Sequence, residues 1–235
     1  MPANSKTNTV LITGSSRGIG LALAAEYQAA GWNVIAAARN PAKAEQLQSL
    51  NVYKTIQLDV ADEASILRAA EELNGEAIDL LINNAGIAYP DFFLTETKER
   101  LMQTLEVNTV GPFIISRAFL PHLKAAVAVN GSAKIAQISS SMGSITQSTG
   151  ELLHPSYRAS KTALNMLNNV IAHSVKDEKI ATVVLCPGFV DTDINGHTGY
   201  LKPSESASMV AKNIANLTLE DTGKFVNHEG TTIPW

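Results

Sequence analysis

The sequence predicts an α/β fold of one domain over residues 1–235, a doubly wound parallel sheet of about seven strands with helices on both faces. Three observations predict it. Short apolar runs alternate with helical patterns from end to end. The runs are apolar throughout instead of alternating with polar residues, as strands covered on both sides must be. Helical stretches stand between successive strands, and parallel neighbours need a crossover long enough to hold one.

The elements follow in order. Thr9–Thr13 (TVLIT) reads as a buried strand, followed by a helix from about Gly18 to Ala30. Asn33–Ala38 is the second strand, and Pro41 opens a helix to about Leu50, its fixed φ suiting a first helical position. Val52–Leu58 is a third strand and Ile78–Asn83 a fourth. Between them Asp62 caps a helix to Leu73. A long helical stretch covers about Thr95 to Ala126, with Gly111-Pro112 marking a break or kink. Ala133–Ser139, Ala181–Cys186 and Lys224–Val226 are later strands, separated by helices at Tyr157–Lys176 and Ser204–Leu217. No repeat or long linker divides the chain.

Composition excludes several function classes. Hydrophobic residues make up 45% of 235, ample for a core, while charged residues make up 17% with a net charge of −4. Without a basic stripe, the chain is expected to bind neither nucleic acid nor an anionic membrane. Cys186 is the single cysteine, so no internal disulfide or cysteine-based zinc site can form, and no metal is expected. Met1–Asn8 is polar and lacks the apolar core of a signal peptide. No run approaches the roughly 18 apolar residues of a membrane span. The cytoplasm is the expected compartment.

The first strand–helix junction carries Thr13-Gly14-Ser15-Ser16-Arg17-Gly18-Ile19-Gly20. Glycines there permit a tight turn and let the backbone approach a pyrophosphate, which meets the free N–H groups of the following helix. The spacing G-x-x-x-G-x-G is neither G-x-G-x-x-G nor a P-loop. After the second strand stands Ala38-Arg39-Asn40, without the carboxylate that would bind an NAD ribose 2′-hydroxyl. Arg39 and Arg17 can instead bracket a 2′-phosphate. The expected cofactor is NADP(H), with NAD(H) as the alternative.

Tyr157 and Lys161 are four apart at the start of a helix and so share a face. An unperturbed phenol titrates near 10, and a nearby ammonium is expected to lower it into the range of acid–base work. Such a pair is weak alone. Here it follows Ile138-Ser139-Ser140-Ser141, at the carboxyl edge of a strand, the usual ligand edge of this architecture.

With these pieces together the chain resembles the short-chain dehydrogenase/reductase family. The matching segments are Thr13–Gly20 (TGSSRGIG), Asp59-Val60, Asn83–Gly86 (NNAG), Asn108 (VNTVG), Ser140 (ISSSMG), Tyr157–Lys161 (YRASK) and Pro187–Thr192 (PGFVDT), in the family's order. Tyr157–Met166 and Gly230–Trp235 resemble the C-factor and Sniffer-like carbonyl reductase branch. The resemblance implies a Rossmann-type fold and the following roles. Tyr157 is the general acid, Ser140 bonds the substrate oxygen, and Lys161 holds the nicotinamide ribose and tunes the tyrosine. Asn108 holds a water through its main chain. Gly14, Ser16, Arg17, Gly18, Ile19 and Gly20 take the phosphates, and Asp59 and Val60 flank the adenine. Asn83, Ala85 and Gly86 line the adenosine ribose. Pro187, Gly188, Val190 and Thr192 lie along the nicotinamide side, with Val190 and Thr192 at the carboxamide. Ser140 is chosen over Ser139, Ser141 and Ser144 because it stands three before Gly143. It lies farther before Tyr157 than is usual in the family, which lengthens the loop Ile145–Pro155.

Loops at about 87–95, 140–156 and 188–203 are expected to form the substrate cleft. Its candidate lining is Tyr89, Met142, Ile145, Leu153, His154, Phe189, His197 and Tyr200, mostly apolar, which suits a hydrophobic ketone or aldehyde. Two alternatives remain, a dinucleotide-binding signalling protein and an NAD-dependent alcohol dehydrogenase. A homodimer or homotetramer through the long helices is implied by the resemblance. No G-x-S-x-G elbow or H-E-x-x-H motif supports a hydrolase or metalloenzyme.

Overall fold

The computed structural model describes residues 7–150 and 152–235. The reading of the polar N-terminus falls largely on residues 1–6, outside the described ones. The strands are β1 (Thr9–Thr13), β2 (Asn33–Ala38), β3 (Lys54–Gln57), β4 (Leu80–Asn83), β5 (Ala133–Ile138), β6 (Ile180–Cys186) and β7 (Lys224–Asn227). They form one sheet in the order β3-β2-β1-β4-β5-β6-β7, with every neighbouring pair parallel. This is the doubly wound parallel sheet expected. Strand order reverses at β1, so the crevice above the β1–β4 pair is the topological switch point where ligands bind in such sheets.

The helices are α1 (Gly18–Ala29), α2 (Glu45–Ser49), α3 (Glu63–Glu72), α4 (Lys98–Leu105), α5 (Gly111–Ala118), α6 (Leu120–Asn130), α7 (Pro155–Val175) and α8 (Pro203–Asn216). Strand residues point alternately to the two faces, and each face is covered. Val10 and Ile12 pack with Leu23 and Ala24 of α1 and with Val210 and Ile214 of α8. Leu11, between them in β1, packs on the opposite side with Ile66 of α3, Ile115 of α5, Leu123 of α6 and Ile171 of α7. This two-sided burial is why the strands read as continuous apolar runs.

Asp62 caps α3 as expected, its carboxylate accepting the N–H of Ala64 at 2.9 Å. Other expectations need correction. The helix expected from Pro41 to Leu50 is a 3-10 turn, Pro41–Lys43, followed by the short α2. β3 and β4 each start two residues later than expected, at Lys54 and Leu80. The stretch Thr95–Ala126 is not one kinked helix but α4, a π-helical turn at Glu106–Val110, α5 and α6. Pro112 has no N–H to continue the ladder, and Pro121 opens α6 after the break at Phe119. Gly111 is required by contact: a Cβ there would lie 2.3 Å from the carbonyl oxygen of Val60. No single helix among the described residues is long and apolar enough to cross a membrane.

Candidate active site

The glycine loop closes over the carboxyl ends of β1 and β4. Gly14 has φ +70°, and a Cβ on it would meet Ala85 Cα at 2.9 Å. A Cβ on Gly20 would sit 2.2 Å from the Gly14 carbonyl oxygen. Only glycine fits either place. Ser15 anchors the loop from below, its hydroxyl donating to Ile12 O at 2.7 Å and its N–H to Ala37 O at 3.1 Å. No side chain caps the N-terminus of α1 at Arg17. The first-turn N–H groups, at Gly18, Ile19 and Gly20, therefore stand at an uncapped positive helix end, a fit for a pyrophosphate. Ser16 is half-buried beside them, and Arg17 and Arg39 are exposed.

Asp59 and Val60 follow β3 and are half-buried. Asp59 accepts the Ala61 N–H at 3.0 Å, which fixes the turn after β3. Ala85 and Gly86 follow β4; a Cβ on Gly86 would stand 3.3 Å from Asn108 Oδ1 and 3.7 Å from Lys161 Nζ. Asn83 differs from expectation. Its side chain is buried and turned away, donating to Ser116 Oγ of α5 at 3.1 Å and to Pro112 O at 3.3 Å. Past β6, Pro187 is buried and its carbonyl accepts from Ser206 at 2.7 Å, while Gly188 has φ +89°. Val190 and Thr192 are buried, and Thr192 Cγ2 lies 3.3 Å from where a Cβ on Gly18 would be. The post-β6 loop thus touches the glycine loop.

Tyr157, Lys161, Ser140 and Asn108 converge. Tyr157 and Lys161 lie in the first two turns of α7, with the ammonium 5.6 Å from the phenol ring centroid. Lys161 is 4% exposed and donates to Ile138 O at 2.8 Å, at the end of β5. Ser140 faces the Tyr157 hydroxyl, where its influence favours the ionised phenol, and it accepts the Met142 N–H at 3.2 Å. The neighbouring serines are otherwise engaged. Ser139 donates to Asn165 Oδ1 at 2.7 Å, Ser144 donates to Pro234 O at 2.5 Å, and Ser141 is exposed. Asn108 sits in the π turn, a bulge that often marks function. Its side chain is buried and bonds Ile87 twice, accepting its N–H at 2.9 Å and donating to its carbonyl at 2.8 Å. It also donates to Ser160 Oγ at 3.0 Å, which ties the loop after β4 to α7.

The expected electrostatics reverse. Burial pushes the Tyr157 phenol up to about 12, outweighing the influence of Ser140, and burial pulls the Lys161 amine down to about 8. Desolvation penalises both charged forms and exceeds the mutual effect inferred from spacing. The Tyr157 phenol is accordingly neutral across the physiological range.

Of the expected cleft lining, Ile145, Phe189 and Tyr200 are exposed, with Phe189 and Tyr200 edge-to-face at 6.2 Å between centroids. His154 has φ +62° and bonds the Tyr89 carbonyl through Nδ1 at 2.7 Å, its ring 6.5 Å from that of Tyr157. Leu153 bridges Phe92 across the gap between the loops, and Met142 is half-buried beside Ser140. His197 does not join them. Its two ring nitrogens bond Asp191 and Asp193 at 2.7 and 2.8 Å. Among the described residues no group of three or more potential ligands gathers for a metal.

The comparisons bear on this geometry. The family model for short chain dehydrogenase matches residues 8–200. The chain belongs to that family. It is 33% identical over 159 residues to C-signal of Myxococcus xanthus, covering 67% of this chain and 93% of that protein. The NADPH-bound carbonyl reductase from chicken fatty liver superposes with a TM-score of 0.90 at 35% identity, over 98% of this chain and 100% of that one. The carbonyl reductase Sniffer of D. melanogaster gives 0.91 at 30%, with the same coverages. These likenesses place the chain beside the C-factor and Sniffer-like branch, as an oxidoreductase on a Rossmann-type fold.

Sequence reasoning passed over two contributors. Asn84 donates to Thr13 O at 2.9 Å and to Gly14 O at 3.3 Å, while Thr13 Oγ1 accepts the Asn84 N–H at 3.0 Å and the Ala85 N–H at 3.2 Å. It is the second asparagine of NNAG, a signal that was available. Asp193 carried no such signal, and it pairs with Arg17, Nε to Oδ2, at 3.2 Å.

Proposed function

We propose that the chain is an NADPH-dependent carbonyl reductase that converts a ketone or aldehyde to an alcohol. The observation that carries this reading is the Tyr157 hydroxyl, neutral and facing Ser140, beside the buried Lys161 ammonium at the carboxyl edge of the sheet. The cofactor, when bound, supplies the hydride for the carbonyl carbon. Tyr157 delivers the proton to the carbonyl oxygen, and Ser140 donates a hydrogen bond to the same atom. These are preorganised donors at the point where negative charge develops. Ser140 already accepts from Met142, which directs its own proton away from that N–H. The Lys161 charge steadies the tyrosinate left after proton transfer. Asn108 positions Ile87 and Ser160 around it.

The residues fit a dinucleotide. The uncapped end of α1 and Gly14, Ser16, Gly18, Ile19 and Gly20 suit the pyrophosphate. Asp59, Val60, Ala85, Gly86 and the main chain of Asn83 suit the adenosine. Lys161, Pro187, Gly188, Val190 and Thr192 suit the nicotinamide half. NADPH is favoured over NADH because Arg39 is exposed, pairs with no acid among the described residues, and has no carboxylate following β2. The substrate cleft is assigned to loops 87–95, 140–156 and 188–203. Their exposed Phe92, Phe93, Ile145, Leu152, Phe189 and Tyr200 favour an apolar carbonyl compound.

The test is NADPH oxidation across ketones, aldehydes and quinones. Tyr157→Phe is expected to lose about a hundredfold or more in turnover while still binding NADPH. Unchanged turnover in that variant refutes the mechanism. The likeness to C-signal favours a second reading, a dinucleotide-binding signalling protein. Loss of a biological effect in Tyr157→Phe with cofactor binding intact counts against a purely sensory role. A homodimer or homotetramer is part of the same proposal, supported by exposed Met102 and Val110 on the α4 side and Met166 and Val170 on α7. A cytoplasmic location is consistent with it.

A further inference from the structure

The two arginines expected to bracket a 2′-phosphate are in different states. Arg39, past the end of β2, is exposed and forms no ion pair with a described residue. Arg17, at the uncapped start of α1, is bound through Nε to Asp193 Oδ2 at 3.2 Å. Asp193 opens the 3-10 turn Asp193–Asn195 on the post-β6 loop, whose Thr192 also approaches Gly18. The acid is itself held. Its other oxygen, Oδ1, bonds His197 Nε2 at 2.8 Å, and His197 Nδ1 bonds Asp191 Oδ1 at 2.7 Å. With a carboxylate at each nitrogen the protonated form of the ring is favoured, and hydrogen bonds to Asp191 and Asp193 raise its pKa above the ordinary imidazole value. His197 thus fixes the direction of Asp193, and Asp193 fixes that of Arg17.

A carboxylate beside the Nε edge of a guanidinium competes with a phosphate for its charge. We infer that Asp193 is a specificity-determining positioning residue that competes with the 2′-phosphate of the dinucleotide for Arg17. The inference rests on the NADPH reading above. Asp193 draws Arg17 toward the post-β6 loop, whereas the 2′-phosphate, at the end of β2 beside Arg39, draws it the other way. Arg39 then supplies the standing preference for NADPH, and Asp193 sets how much Arg17 adds to it. NADH carries no 2′-phosphate and is indifferent to the contest.

The experiment is fluorescence titration of NADPH and NADH into wild type, Asp193→Asn, Asp193→Glu and Arg17→Ala. Asparagine keeps an acceptor for His197 but no charge for Arg17. Asp193→Asn is expected to tighten NADPH by about two- to fivefold, the range of an exposed ion pair, and to leave NADH unchanged. Asp193→Glu restores the wild-type ratio. Equal shifts for both cofactors, or weaker NADPH binding, overturn the inference. If Arg17→Ala weakens NADPH but Asp193→Asn does not tighten it, this inference alone fails. If Arg17→Ala leaves NADPH binding unchanged, Arg17 has no place at the phosphate and the NADPH reading loses it too.

Discussion

Replacing Lys161 with methionine removes a buried charge and keeps the length of the stem. Burial takes the amine from its ordinary 10.5 down to about 8, and the side chain is 4% exposed, so solvent screens little of the effect. A displacement of that size corresponds to about 3 kcal/mol of folding free energy. Between those two values the unfolded chain binds more protons than the folded one, so wild-type stability rises with pH across the window. The cost of the charge is present in full near pH 7 and nearly gone by pH 10.5. Lys161→Met also loses the bond to Ile138 O, worth about 1 kcal/mol at either pH. The variant is therefore expected to be more stable than wild type by about 2 kcal/mol near pH 7, and less stable by roughly 1 kcal/mol near pH 10.5. Urea denaturation of the dinucleotide-free protein at both pH values measures this, with midpoints read by circular dichroism. A stability difference of the same sign and size at both pH values would refute the reasoning, because only the charge is pH-dependent.

Two further outcomes follow from the geometry. Phe119 is fully buried at the break between α5 and α6, and Phe119→Ala is expected to cost about 3–5 kcal/mol in a urea melt; a loss under about 1 kcal/mol would mean that the break does not anchor that core. Gly20→Ala places a methyl 2.2 Å from Gly14 O and 2.5 Å from Asn84 Nδ2, so NADPH binding by fluorescence should fall at least tenfold, while Gly31→Ala, which meets nothing within 4 Å but stands at φ +80°, should lose some stability and still bind as wild type.

The sheet was legible because two-sided burial writes itself into continuous apolar runs such as Thr9–Thr13 and Ile180–Cys186. Interruptions were less so. Gly111-Pro112 pointed to an interruption, but the backbone stays helical there and passes through a π turn, where Asn108 bonds Ile87 and Ser160, contacts far apart in sequence. Pro121 marked the break at Phe119 and was passed over. At the site, motif spacing singles out Ser140 among four serines, and the geometry agrees with that choice in so far as Ser139 and Ser144 are committed to Asn165 and Pro234. The direction of the Tyr157 shift was misjudged because spacing shows a neighbour and not the burial around it. His197 read as cleft lining because nothing in the sequence shows that its side chain folds back on Asp191 and Asp193.

The reversal of strand order at β1 gives the sheet a seam, which the helices on both faces bridge. β1, β2 and β3 on one side meet β4 through β7 on the other along a single boundary, registered by Val10 with Leu80, Leu11 with Leu81 and Ile12 with Ile82. Asn84 laces its upper end to Thr13 and Gly14. On the proposed function, a dinucleotide over this boundary would touch the glycine loop on one side and the loop after β4 on the other, and so act as a rivet. A ligand that binds only the folded sheet would stabilise it by mass action, the more so the more of it is present.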